Sequence, residues 1–134
     1  MNDYLTYIVY YEGAYGDTIR IATKQKTWLV KLKERLLRIL SGESDDIDIC
    51  NLGDIKIFDS INELVLTKTN KRSKSCVAFE MVNGSRSYKW KLDNEEIETI
   101  IGLIDGLICD ESPGHQYLTD EEEGCLIELS YNED

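Results

Sequence analysis

A chain of 134 residues with 42% hydrophobic and 31% charged residues has the make-up of a folded chain rather than a disordered one, and the length predicts one domain, 1–134, burying about two-thirds of its unfolded surface. The formal net charge of −11 is unevenly spread: residues 1–91 carry all 15 Lys and Arg against 12 acids, and residues 92–134 carry 14 acids with no Lys or Arg. That balance argues against direct contact with nucleic acid or an anionic membrane, both of which need cationic side chains, and it is compatible with a basic protein partner.

No apolar run approaches the roughly 20 residues of a membrane span. Met1-Asn2-Asp3-Tyr4 is not the start of a positive region followed by an apolar stretch, so a cytoplasmic chain with reduced thiols is expected. Cys50, Cys76, Cys109 and Cys125 stand 26, 33 and 16 residues apart, and none forms a C-x-x-C. The lone His115 cannot complete a zinc set with them, so neither a metal site nor a cofactor is expected.

Tyr4 to Tyr11 is rich in β-branched and aromatic residues. Leu5, Tyr7, Val9 and Tyr11 fall on one face and Tyr4, Thr6, Ile8 and Tyr10 on the other, the pattern of a central strand. Gly13-Ala14-Tyr15-Gly16-Asp17 reads as a turn, and Thr18 to Thr23 as the returning strand of a hairpin. From Thr27 to Leu40, Trp28, Leu29, Leu32, Leu36, Ile39 and Leu40 form a stripe at helical spacing, and Ser41-Gly42 supplies the stop. Residues 43–60 interleave acids with Ile47, Ile49 and Leu52, predicting a loop with a short strand; Ile55 to Phe58 predicts another.

Glu63 to Thr69, Cys76 to Val82 and Ser85 to Leu92 read as three strands, the first two joined by a polar connection and the last two by Asn83-Gly84. Asn-Gly between alternating runs is the strongest short hairpin signal, because both turn positions need positive φ. Pairing across it sets Val82 opposite Ser85, Met81 opposite Arg86, Phe79 opposite Tyr88 and Val77 opposite Trp90. Asp93 is a helix N-cap with Glu96 completing a capping box, and Ile97, Ile100, Ile101, Ile104, Leu107 and Ile108 form the apolar stripe that follows. A loop from Cys109 to Glu123 leads to a last strand, Cys125 to Tyr131, with Cys125, Ile127, Leu129 and Tyr131 on one face. Strand runs and helices do not alternate, so the expected class is α+β. It would have a mainly antiparallel sheet of about five to seven strands, a β-meander at 63–92, and two helices (about 27–41 and 94–109) on one face.

Few motifs carry chemistry. Asp46-x-Asp48-x-x-Asn51-x-Gly53 has some character of a calcium loop, but Cys50, Asn51 and Ile57 stand where an oxygen ligand, Gly and Glu are required. Gly13-x-x-Gly16 has no Gly-Lys-Ser/Thr continuation and leads into a strand, so a hairpin turn is the better reading than a phosphate cradle. Gly102-x-x-x-Gly106 lies on the polar side of the second helix and reads as two tolerated glycines. His115 follows Pro113-Gly114 with no local nucleophile signature, so no catalytic residue is expected and an anchoring role is favoured. The run Asp120-Glu121-Glu122-Glu123 reads first as a solvated loop, yet with Asp110 and Glu111 it could form a negative field that steers a cationic protein.

Gly114-His115-Gln116-Tyr117-Leu118, followed by Leu126-Ile127-Glu128-Leu129-Ser130-Tyr131, is similar to the end of small uncharacterised bacterial proteins. The acidic, α+β character at this length, without a catalytic motif, resembles the immunity proteins of bacterial polymorphic-toxin systems. That resemblance implies a cytoplasmic, non-catalytic module that occludes a basic toxin domain, such as a nuclease. The expected partner-binding residues are Asp110, Glu111, Asp120, Glu121, Glu122 and Glu123 against the cationic groove, with His115 and Tyr117 as amphipathic anchors. Two alternatives of other classes are a small enzyme whose site is assembled from distant residues, and an acidic mimic of DNA.

Overall fold

The computed structural model describes residues 4–69, 76–110, 112–119 and 124–133. Along the chain run β1 (Thr6–Gly13), β2 (Gly16–Thr23), α1 (Lys26–Leu40), β3 (Asp46–Asp48), a single 3-10 turn (Ile49–Asn51), β4 (Lys56–Ile57), β5 (Ile61–Lys68), β6 (Cys76–Val82), β7 (Ser85–Leu92), α2 (Asn94–Cys109), β8 (Gly114–Tyr117) and β9 (Leu126–Tyr131). The class is α+β, and the strands divide into two mixed sheets, ordered β4-β1-β2-β9-β8 and β3-β5-β7-β6.

In the five-stranded sheet β1 and β2 form the expected antiparallel hairpin, Ile8 opposite Ile21. Its turn is tighter than Gly13–Asp17. Gly16 reaches φ +120°, open to glycine, so the strands continue to Gly13 and Gly16 around Ala14-Tyr15. β9 runs parallel to β2 and β8 antiparallel to β9. Ile8, Ile19, Ile21, Ile127 and Leu129 form a fully buried inner face, each worth about 1.5–3 kcal/mol relative to exposure.

The four-stranded sheet bears out the Asn-Gly register residue for residue. Val82 pairs with Ser85, Phe79 with Tyr88 and Val77 with Trp90, and Asn83 and Gly84 take φ 51° and 80°. The meander expected at 63–92 is not formed: β5 lies parallel to β7, Leu66 opposite Trp90, and β6 is displaced to the edge. Burial accounts for the order. On β7 Tyr88, Trp90 and Leu92 are buried, whereas on β6 only Val77 is, so the more apolar strand of the hairpin takes the interior place.

The stripe of α1 buries Trp28, Leu29, Leu32, Leu36 and Ile39, and that of α2 buries Ile97, Ile100, Ile104 and Leu107. The α2 capping box is complete: Asp93 Oδ1 accepts from the Glu96 N–H at 2.9 Å, and the Asp93 N–H donates to Glu96 Oε1 at 3.1 Å. The helices lie side by side, with Lys33 Nζ 2.6 Å from Asp105 Oδ1. They do not cover one face of a single sheet, since α1 touches β2 of one sheet and β3 of the other. The indole of Trp28 donates to the Leu52 carbonyl at 2.8 Å, tying the 43–60 stretch to α1. Among the described residues nothing lies within 4 Å of a Cβ added at Gly102 or Gly106, so no described backbone approaches α2 there.

Candidate functional site

The segment expected to be a loop contains β8, the edge strand of the five-stranded sheet. Its register against β9 sets His115 opposite Ser130 and Tyr117 opposite Glu128. Alternation therefore puts His115 and Tyr117 on the outer sheet face, opposite the isoleucine layer. One cross-strand row reads Val9, Arg20, Glu128, Tyr117, and the next Tyr7, Ala22, Ser130, His115.

These rows are joined by polar contacts. Glu128 is 6% exposed. Its Oε1 accepts from the Tyr11 hydroxyl at 3.1 Å and lies 3.7 Å from Arg20 Nε. Arg20 Nη2 donates to Ser130 Oγ at 3.1 Å and stands 3.8 Å from Glu133 Oε1. Ser130 donates to the same Glu133 oxygen at 2.6 Å, and the other carboxylate oxygen lies 2.9 Å from His115 Nδ1. The His115 ring meets Tyr117 edge to face, centroids 5.7 Å apart, and Tyr117 remains 41% exposed.

Burial works to raise the Glu133 carboxyl, but the Ser130 hydrogen bond, the His115 bond and charge, and the Arg20 charge together hold it below its usual range. The Tyr11 phenol is pushed up to about 12, first by burial and then by Glu128. Burial and the neighbouring Glu128, Tyr15 and Glu133 raise Tyr117 as well. The phenols on this face are therefore neutral hydrogen-bonding groups at neutral pH, and Tyr117 combines a broad apolar ring with a polar tip.

Glu133 stands between Ser130 and His115. Nucleophile activation requires the imidazole in the middle, so this trio orients a side chain rather than activating one.

Two of the expected partner-binding residues, His115 and Tyr117, are brought together here. Asp110 is exposed at the C-terminus of α2, where its N–H donates to the Gly106 carbonyl and its Oδ1 accepts from the Ser112 N–H at 2.9 Å, so it shapes the chain turn into β8. Glu111 and Asp120 to Glu123 lie outside the described residues. Arg20, Glu128, Ser130, Glu133 and Tyr11 were not among the expected residues, although alternation along 126–131 already puts Glu128 and Ser130 on one face.

The chain matches no protein-family model, no curated protein and no solved structure. The arrangement itself must carry any reading.

In the calcium-like segment Asp48 has structural partners: it accepts from the Cys50 and Leu64 N–H groups and from the Asn51 side chain. Among the described residues no cluster of three or more His, Cys, Asp or Glu could hold a metal ion. No helix among them is long and apolar enough to cross a membrane. All four cysteines are free, Cys50 and Cys125 buried and Cys76 and Cys109 exposed.

Proposed function

We propose that this chain is a non-catalytic, cytoplasmic protein-binding module of the immunity or antitoxin type, which occludes a basic toxin domain with the β8–β9 face of its five-stranded sheet. The supporting observation is the pair His115 and Tyr117, exposed on an edge strand, with His115 held by Glu133 and Tyr117 cross-strand from buried Glu128. Tyr, with an apolar ring and a polar tip, is among the residue types enriched at interfaces and at the positions that dominate binding energy. The charge balance of the C-terminal third favours a cationic partner. From Leu92 onward the chain has 14 acids and no Lys or Arg, and the guanidinium of Arg20 is shared between Glu128 and Glu133. Acids at the rim set the association rate, while aromatic anchors set residence time.

The test is co-expression with the products of the neighbouring reading frames, followed by stopped-flow mixing with the protein that co-purifies. Neutralising Asp120, Glu121, Glu122 and Glu123 to Asn and Gln should slow association and flatten its salt dependence. Tyr117→Ala should speed dissociation by tenfold or more, the factor for about 1.4 kcal/mol. Wild-type rates in both variants would remove this face from the interface.

A further inference from the structure

The four-stranded sheet ends in an open edge of a different character. β6 is its outermost strand. In a two-residue hairpin the residues flanking the turn, here Val82 and Ser85, exchange hydrogen bonds. Every second residue of β6 from Val82 back therefore bonds to β7, and Val77, Phe79 and Met81 direct their N–H and C=O groups outward. At Val77 this is visible, because Gly124 forms a parallel bridge to it. At the next two rungs, Phe79 and Met81, no strand lies alongside among the described residues. Among the described residues the edge thus already accepts backbone at one rung and is open at two.

The side chains along these rungs are not those of a protected edge. Phe79 is 49%, Met81 54% and Val82 42% exposed, where edges are ordinarily blunted by charge or proline. Beside them the Arg86 guanidinium lies 4.0 Å over the Tyr10 ring and 5.4 Å from the Phe79 ring, and donates to the Tyr88 hydroxyl at 3.4 Å. Among the described residues it has no carboxylate within ion-pair distance. A cavity of about 240 Å³ opens alongside, between Val77, Phe79, Arg86 and Tyr88 on one wall and Asp17 and Cys125 on the other. Aromatic, Met and Arg side chains are the types enriched in protein interfaces. Within the hairpin, 76–92, the charged residues are Arg86, Lys89 and Lys91 against one acid, Glu80. Glu63, on β5, is held by Lys89 at 2.9 Å.

We propose that the open edge of β6 at Phe79 and Met81 is a second docking surface, which takes an extended acidic segment of a partner protein as an added strand. Main-chain hydrogen bonds to the two open rungs supply affinity, as in other strand additions. An apolar side chain enters the cavity beside Phe79, and a carboxylate takes the free edge of the Arg86 guanidinium. The Arg86 guanidinium, with no carboxylate within ion-pair distance among the described residues, favours an acidic segment over a basic one. This surface lies on the four-stranded sheet and is independent of the β8–β9 face.

The probe is a short synthetic peptide of alternating valine and glutamate, with a valine and lysine peptide as control, added to the full chain. Binding is read by fluorescence anisotropy and by amide hydrogen exchange. The glutamate peptide should bind and slow exchange at Phe79 and Met81 about tenfold, with little change in the α1 interior. Met81→Pro removes an outward N–H that β7 does not use and should abolish binding with the circular dichroism spectrum unchanged. Arg86→Gln should weaken binding about tenfold, the loss of one charge-assisted hydrogen bond. The exchange measurement on the wild type stands whether or not the proline variant folds. Absence of binding, equal binding of the lysine peptide, or unchanged exchange at both residues overturns the proposal. So does a wild-type dimer that Met81→Pro makes monomeric, which would assign the edge to a second copy.

Discussion

Gly124 and Val77 join the edge of one sheet to the chain entering the other, and they do so at a distance that excludes any side chain. A Cβ on Gly124 would lie 2.8 Å from the Val77 carbonyl oxygen, and φ there is +103°. Two costs therefore coincide, a backbone conformation that L-residues rarely adopt and an overlap with main chain that cannot rotate away. Gly124→Ala should destabilise the chain by about 1–3 kcal/mol, measured by urea unfolding. Gly16 is the control: φ is +120°, yet among the described residues nothing lies within 4 Å of an added Cβ, so Gly16→Ala should cost clearly less. Equal costs would mean that φ alone decides and the contact with Val77 does not matter.

The β6–β7 hairpin permits a sharper comparison between two aromatic residues on one hairpin face. Trp90 is 1% exposed within the shared core, whereas Phe79 is 49% exposed. Trp90→Ala should cost about 3–5 kcal/mol in denaturant unfolding, while Phe79→Ala should stay within about 1 kcal/mol. A comparable loss at Phe79 would show that its ring supports the fold, leaving it less free to meet a partner.

Thiol chemistry distinguishes the four cysteines. Burial pushes the Cys50 thiol up to about 12, with Asp48 adding to it, and the Cys125 thiol up to about 11. Cys76 and Cys109 are exposed. Since the thiolate is the reactive form, a disulfide reagent at mildly alkaline pH should titrate Cys76 and Cys109 rapidly and reach Cys50 and Cys125 only on unfolding. Four fast thiols would mean that the core opens on the timescale of the reagent.

Legibility in the sequence followed the range of the interactions. The Asn83-Gly84 hairpin and the Asp93–Glu96 capping box are local devices, and both occur with the expected partners. The placement of β7 between β5 and β6 is not local. It is decided by which strand of a finished hairpin is apolar enough for the interior, a competition between Trp90 and Tyr88 on one strand and Ala78, Glu80 and Met81 on the other. β8 was hidden because Pro113-Gly114 reads as a turn and four residues are too few for alternation to show. Without β8 the outer face could not be assembled, so His115 and Tyr117 were named while their supports, Glu128, Ser130, Glu133 and Arg20, were not.

That support has a pH signature. Glu133 accepts from Ser130 and His115 and stands near Arg20, and the balance holds its carboxyl below the ordinary value of 4.5. The folded state thus favours the carboxylate more than the unfolded chain does. Such a group contributes stability above its unfolded pKa, and the contribution fades as pH falls through the lower folded value. Glu133→Gln should therefore be less stable than wild type at neutral pH, and the gap should close as pH falls below about 4.5. Carboxyl carbon NMR gives the direct reading: Glu133 should titrate below the usual glutamate midpoint in the wild type and move back toward it in His115→Ala. A midpoint unmoved by His115→Ala would mean that Ser130 and Arg20 alone hold the carboxylate. His115 would then be free to turn toward a partner instead of being fixed on this face.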